Sequence, residues 1–164
     1  MSLGAADTSV CATFKMKIVI TVGLPGSGKS TYLERLGVNA ISSDEIRRLI
    51  ADDPEDQTIH ARVFTTIRYL IRQRIAAGRP VTYVDATHLT RWERRPYFEL
   101  ARRHQCKVEA LYFDVPVEVC MRRNKGRGRI VPDEAIRKMA RRLQPPAKEE
   151  GFTKIIRPRH RSRF

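Results

Sequence analysis

Residues 23–30 read Gly-Leu-Pro-Gly-Ser-Gly-Lys-Ser, and no other stretch restricts the fold as severely. The spacing G-x-x-x-x-G-K-S is that of a loop that wraps a polyphosphate with backbone N–H groups. Glycine is required because only a residue without a Cβ lets the chain come that close in the necessary conformations. The helix that follows adds unpaired N–H groups and the positive end of its dipole. From such a loop Lys29 reaches the β- and γ-phosphates, and the Ser30 hydroxyl can hold Mg²⁺. The loop needs a strand before it and a helix after it. Residues 17–22 (KIVITV) are β-branched and apolar, as a buried parallel strand should be. Residues 30–36 (STYLERL) read as a short helix. Gly23, Pro25, Gly26, Ser27, Gly28, Lys29, Ser30 and Thr31 are therefore the expected ATP-binding loop.

Similar alternation continues along the chain. Strands are expected at 38–42, 81–85, 107–113 and 152–156. Helices are expected from Ser42 through Ile50, and over 58–77, 91–104, 116–123 and 133–143. Ser42 with Glu45 three residues on has the form of a capping box. Gly78 followed by Pro80 closes the 58–77 helix. The 91–104 helix carries a dense basic face. Trp92, the chain's one tryptophan, reads as a packing residue rather than a base-stacking platform, and the scarcity of aromatics disfavours a stacking-rich single-strand binder. Strands alternating with helices imply an α/β fold, a parallel sheet of four to five strands covered on both faces. Residues 1–14 lack periodicity and are expected to be a disordered leader, with a kinase-sized domain over 15–156 and a basic tail over 157–164.

Charge narrows the partner. The chain carries a net +14, and the excess is uneven. Residues 1–57 hold 6 Lys/Arg against 8 Asp/Glu, whereas residues 58–164 hold 26 against 10. Such a surplus suggests a polyanion beyond ATP, with nucleic acid foremost. No apolar run reaches membrane-spanning length, so no membrane association is expected. Cys11, Cys106 and Cys120 lack metal-ligand spacing and read as free thiols of a reducing, cytoplasmic compartment. His60, His88, His104 and His160 are scattered and read as structural or exposed.

In open parallel sheets, ligands sit beyond the carboxyl ends of the strands. The phosphate loop, Asp44 and Asp85 all fall there. Asp85 ends its strand either as an acid facing Mg²⁺, directly or through water, or as a loop-initiating Asp bonded to its own backbone. Asp44 stands one residue into a helix. The helix dipole alone accounts for a carboxylate there. The alternative is a general base that takes the proton of an acceptor hydroxyl. Arg47, at i+3 on the same helix face, makes either a surface ion pair or a grip on an anionic acceptor. Within a lid expected over about 124–131, residues 125–129 (KGRGR) are too basic and glycine-rich to pack. They form a solvated loop or a lid that brings Arg127 to the transferring phosphoryl group, with Arg122, Arg123 and Arg129 as possible contributors.

Together these motifs resemble the P-loop NTPase three-layer sandwich of the polynucleotide 5′-hydroxyl kinases, including the kinase domain of the phage enzyme. The resemblance covers roughly residues 16–143. It rests on GLPGSGKST at 23–31, SSDEIR at 42–47, VDATHLTRWERR at 84–95, FDVPVEVCMRRN at 113–124 and the basic lid running into Ile130-Val131-Pro132. It implies transfer of the ATP γ-phosphate to a 5′-OH end of DNA or RNA. By this likeness Lys29 and Ser30 handle phosphates and Mg²⁺, Asp44 is the general base, Arg47 binds the acceptor phosphate and Arg127 is the lid arginine. Arg123 joins the ATP-binding set, and Asp85 and Thr87 the substrate-binding set. The family often has Asn where this chain has His88, which blurs the acceptor contacts. The phosphatase domain often fused to such kinases has no counterpart in these residues, so no 3′-phosphatase activity is expected. Two other readings stay open: a small-molecule kinase of the same fold acting on a sugar, nucleoside or antibiotic hydroxyl, and an ATP-gated nucleic-acid-binding module without transfer.

Overall fold

The computed structural model describes residues 16–128 and 130–159. The expected leader, Arg129 of the basic loop and residues 160–164 of the tail lie outside the described residues. Strands β1 (Lys17–Val22), β2 (Ala40–Ser42), β3 (Val81–Asp85), β4 (Lys107–Tyr112) and β5 (Lys154–Ile156) form one sheet in the order β2-β3-β1-β4-β5. Every pairing is parallel. The interleaved helices are α1 (Lys29–Arg35), α2 (Ser43–Ala51), α3 (His60–Ala76), α4 (Arg91–Arg103), α5 (Val117–Asn124) and α6 (Asp133–Arg142), with a 3-10 turn at Lys148–Glu150. This is the expected α/β sandwich, with five strands. Three of the strands are shorter than expected: Val38 and Asn39 precede β2, Phe113 follows β4, and Phe152 sits in the core ahead of β5, while helix ends shift by one or two residues.

Strand β1 is central because it is apolar on both faces. Ile18, Ile20 and Val22 pack with Ile67 and Ile71 of α3 and Tyr97 and Leu100 of α4. Val19, on the opposite face, packs with Leu33 of α1 and with Leu111 and Phe113. A third cluster, Leu24, Leu89, Cys120 and Ile136, sets α5 and α6 under the phosphate loop.

Helix α4 corrects the sequence reading in two ways. Its expected basic face is not all solvated, because Arg94 is fully buried. The Arg94 guanidinium donates to both carboxylate oxygens of Glu150 at 2.8 Å each, and to the backbone oxygens of His88, Leu89 and Gln144 at 2.9, 3.2 and 3.0 Å. Trp92 is not a packing residue; it is 80% exposed. The α2 capping box is also only half formed. The Ser42 hydroxyl accepts from Glu45 N–H at 3.3 Å, but the Glu45 carboxylate pairs with Arg48 instead.

Candidate active site

The carboxyl ends of β1 and β3 are stapled together before any ligand chemistry begins. The Thr21 hydroxyl donates to Ala86 O at 2.8 Å and accepts from Ala86 N–H at 3.1 Å. His88 is buried between Thr21 O, 2.6 Å from Nδ1, and the Tyr97 hydroxyl, 2.8 Å from Nε2. A backbone carbonyl can only accept, so Nδ1 carries the proton and Nε2 accepts from Tyr97. Burial pushes the His88 pKa down to about 4, which keeps the imidazole neutral. His88 is therefore structural and does not blur the acceptor side. Its φ of 44° lies in the left-handed region, where asparagine is also comparatively tolerated.

On this base the phosphate loop is held tightly. Gly23 N–H donates to Thr87 O at 3.0 Å. Gly26 has φ +80°, and a Cβ there would lie 2.4 Å from the Cys120 carbonyl oxygen of α5. Only glycine fits that approach. Gly28, in the left-handed conformation, opens α1. Lys29 is buried, its ammonium donating to Gly23 O at 3.1 Å, Leu24 O at 2.7 Å and the Ser27 hydroxyl at 3.4 Å. Burial pushes its pKa down to about 8; Asp85 opposes that shift and Arg127 adds to it. The Ser30 hydroxyl donates to Asp85 Oδ2 at 2.6 Å. Asp85 thus turns to the phosphate loop rather than to its own backbone.

The facing wall comes from the sheet edge. Ser42 pairs in register with Asp85, so α2, capped by Ser42, starts beside the phosphate loop. Asp44 is half-exposed, and its Oδ1 accepts from Arg47 Nη1 at 3.2 Å. Arg47 is 4% exposed, and its Nε has no hydrogen-bond partner among the described residues.

A cavity of about 370 Å³ joins the two walls, lined by Lys29, Ser30, Asp44, Arg47, Asp85, Thr87 and Arg127 among others. Pro25 also lines it. Thr31 and Arg123, both exposed, are not among the lining residues. The loop that bears Arg127 is anchored at both ends. The fully buried Asn124 side chain donates to Val131 O at 2.6 Å and accepts from Val131 N–H at 3.1 Å.

Sequence reasoning missed Glu55 and Gln57, which line the cavity from the α2–α3 connection, and His60, which lines it from the first position of α3. Their one cue was turn chemistry: Asp53 and Asp56 accept from the N–H groups of Glu55 and Thr58, two residues on, at 2.8 Å each. Burial and the Arg47 charge hold the His60 pKa below the usual histidine value.

Ser30 and Asp85 offer a hydroxyl and a carboxylate, 2.6 Å apart, at the mouth of a phosphate loop. Hard oxygen donors in that small number fit Mg²⁺, which takes its remaining ligands from water and substrate phosphates.

A five-stranded parallel sheet carrying this loop, with helices on both faces, defines a P-loop kinase fold. The chain belongs to the AAA domain family, whose profile matches residues 18–146. It is similar to the L-seryl-tRNA(Sec) kinase of Mus musculus, 33% identical over 77 residues that make up 46% of this chain and 21% of that protein. It spans well under half of that longer relative. A structure of the Pnkp1/Rnl/Hen1 RNA repair complex superposes with a TM-score of 0.68 at 22% identity, over 85% of this chain and 47% of the other. A gluconokinase from Sinorhizobium meliloti 1021 gives 0.56 at 22% identity, over 88% and 82%. At such identities the two structures share the fold. Among the described residues no helix is long and apolar enough to cross a membrane.

Proposed function

We propose that this chain is a polynucleotide 5′-hydroxyl kinase, transferring the γ-phosphate of ATP to the 5′-OH end of DNA or RNA. The observation that carries the reading is the shared cavity. Asp44 and the buried Arg47, with its unpartnered Nε, face the same space as Lys29 and Ser30. A nucleotide-binding protein that transfers nothing has no need of a carboxylate and a buried guanidinium opposite the phosphates.

In the proposed reaction Asp44 accepts the proton of the acceptor hydroxyl. The freed oxygen bonds to the γ-phosphorus as the bond from that phosphorus to the β–γ bridging oxygen breaks, and ADP leaves. Lys29 and Arg127 face the charge that spreads over the transferred group. Mg²⁺, held at Ser30 and Asp85, would supply further neutralisation of the β- and γ-oxygens. Arg47, whose guanidinium lines the same cavity, binds the acceptor's first phosphate.

Lys29 gives the donor side a pH signature. With its pKa near 8 in the free protein, Lys29 is charged below that pH and neutral above it. ATP favours the charged form, so affinity should fall as pH rises through 8, by up to about tenfold per unit. Calorimetric titration with ATP between pH 7 and 9.5 checks this. Lys29→Arg, which keeps its charge throughout, should flatten the curve.

A cavity of this size also suits a small polyhydroxylated acceptor, and the likeness to a gluconokinase makes a small-molecule kinase the second reading. An acceptor panel with labelled ATP separates the two: 5′-OH DNA, 5′-OH RNA, gluconate and nucleosides. We expect label on the oligonucleotides, with kcat/KM falling steeply between about 50 and 200 mM salt. Label on gluconate or a nucleoside alone, with a salt dependence far shallower than a polyanion gives, would overturn the reading.

A further inference from the structure

The exposed Trp92 belongs to a surface that the proposed reaction does not use. Arg91, Trp92, Arg95, Phe98 and Arg102 share one stripe of α4 and line a shallow depression with Glu99 and Glu150. The two carboxylates do not neutralise it. Glu150 is held by the buried Arg94 at 2.8 Å, which leaves Arg91 only a long contact of 3.9 Å to the same carboxylate. Glu99 pairs with Arg95, an i,i+4 contact at the surface that is worth little in water. The Arg91 and Arg95 side chains are 63% and 74% exposed, and Arg102 has no carboxylate partner among the described residues. Phe98 is fixed from beneath, edge-on to Phe152 with ring centroids 4.8 Å apart. The result is a large, outward-facing aromatic set among guanidinium groups on a supported platform.

We propose that this α4 surface binds the single strand that trails behind the reacting 5′ end, a base stacking on Trp92 and phosphates lying on Arg91, Arg95 and Arg102. Charge complementarity favours a polyanion, and the indole favours one that carries flat bases. Placement supports it as well. Asp85 and Thr87 line the cavity, and residues 86–90 are all that separate Asp85 from the first residue of α4. Six residue steps span at most about 22 Å, less than the roughly 34 Å of a ten-nucleotide strand at helical rise. One oligonucleotide of that length can therefore reach from the cavity to the start of α4, where Arg91, Trp92 and Arg95 stand, and Arg102 lies about 16 Å further along the helix for a longer strand. The proposal rests on the polynucleotide reading above, and its test separates the two.

Trp92 is the chain's one tryptophan, so its emission reports on this surface without requiring any phosphoryl transfer. The full chain is titrated with 5′-phosphorylated 12-mers of DNA and RNA, with inorganic polyphosphate and polyglutamate as base-free polyanions. Saturable quenching by an oligonucleotide, well beyond that from either control, is expected. Trp92→Ala should raise KM for a 5′-OH 12-mer by about tenfold, with kcat, ATP affinity and transfer to a dinucleotide unchanged. Arg91→Gln with Arg95→Gln should reduce the salt dependence of 12-mer binding. The proposal is overturned by unchanged emission with both oligonucleotides, by equal quenching from polyphosphate, by polyglutamate alone acting, or by equal KM effects on the 12-mer and the dinucleotide. Quenching without transfer to any acceptor would keep the surface and remove the kinase reading. Transfer without quenching would do the reverse.

Discussion

Asp44→Asn is expected to lower phosphoryl transfer to a 5′-OH oligonucleotide by a factor of about 10²–10⁴, the range typical of a lost general base, while ATP affinity stays within about twofold. Asparagine is the sharper choice over alanine. It keeps an acceptor oxygen for Arg47, whose Nη1 now bonds Asp44 Oδ1 at 3.2 Å, so the buried guanidinium is not left without its anchor. The change removes basicity and little else. ATP binding by calorimetry and product formation from labelled ATP, measured on the same preparation, check both halves. Wild-type turnover in this variant would remove Asp44 from the chemistry. A parallel loss of ATP binding would mean that the carboxylate shapes the donor site instead.

The largest stability effect is expected away from the cavity. Arg94→Met strands Glu150, only 7% exposed, as a buried carboxylate without its guanidinium. Breaking such a pair costs about 3–5 kcal/mol. For a chain of this length that corresponds to a melting temperature lower by roughly 10 °C. Three backbone oxygens, those of His88, Leu89 and Gln144, lose a donor at the same time. Thermal unfolding of Arg94→Met beside the double variant Arg94→Met/Glu150→Met tests the cause. The double variant should recover a large part of the loss, because neither charge is then buried alone. A single variant as stable as wild type would show that the pair contributes nothing net.

These two residues also mark what was and was not legible in the sequence. The phosphate loop and its strand could be read because the reasons are local: glycines where the backbone crowds Cys120, and a β-branched run where the sheet is covered on both faces. Asp44 and Asp85 followed from strand ends, since a carboxyl-terminal position in a parallel sheet fixes which way a residue faces a ligand. Arg94 could not be read. Its partner Glu150 lies 56 residues on, and nothing local distinguishes a buried arginine from its exposed neighbours Arg91 and Arg95. The inward stripe of α4 runs through Arg94, Tyr97 and Ala101, so an arginine stands where an apolar residue is the usual occupant. Trp92, read as a packing residue rather than a base-stacking platform, falls off that stripe. The Glu55 and Gln57 side of the cavity was missed for a related reason: an irregular connection has no period to betray which of its side chains turn toward a site.

The order of the strands separates the parts of the cavity by how freely they can change over generations. Residues assigned to the donor nucleotide in the proposed reaction stand at the ends of the innermost strand and its immediate neighbour, stapled by Thr21 and His88 into the middle of the sheet. Those assigned to the acceptor hang from β2, at the outer margin, and from the irregular connection after it. A lineage can therefore remodel its clientele by altering a short peripheral segment without disturbing the packing that holds the fold.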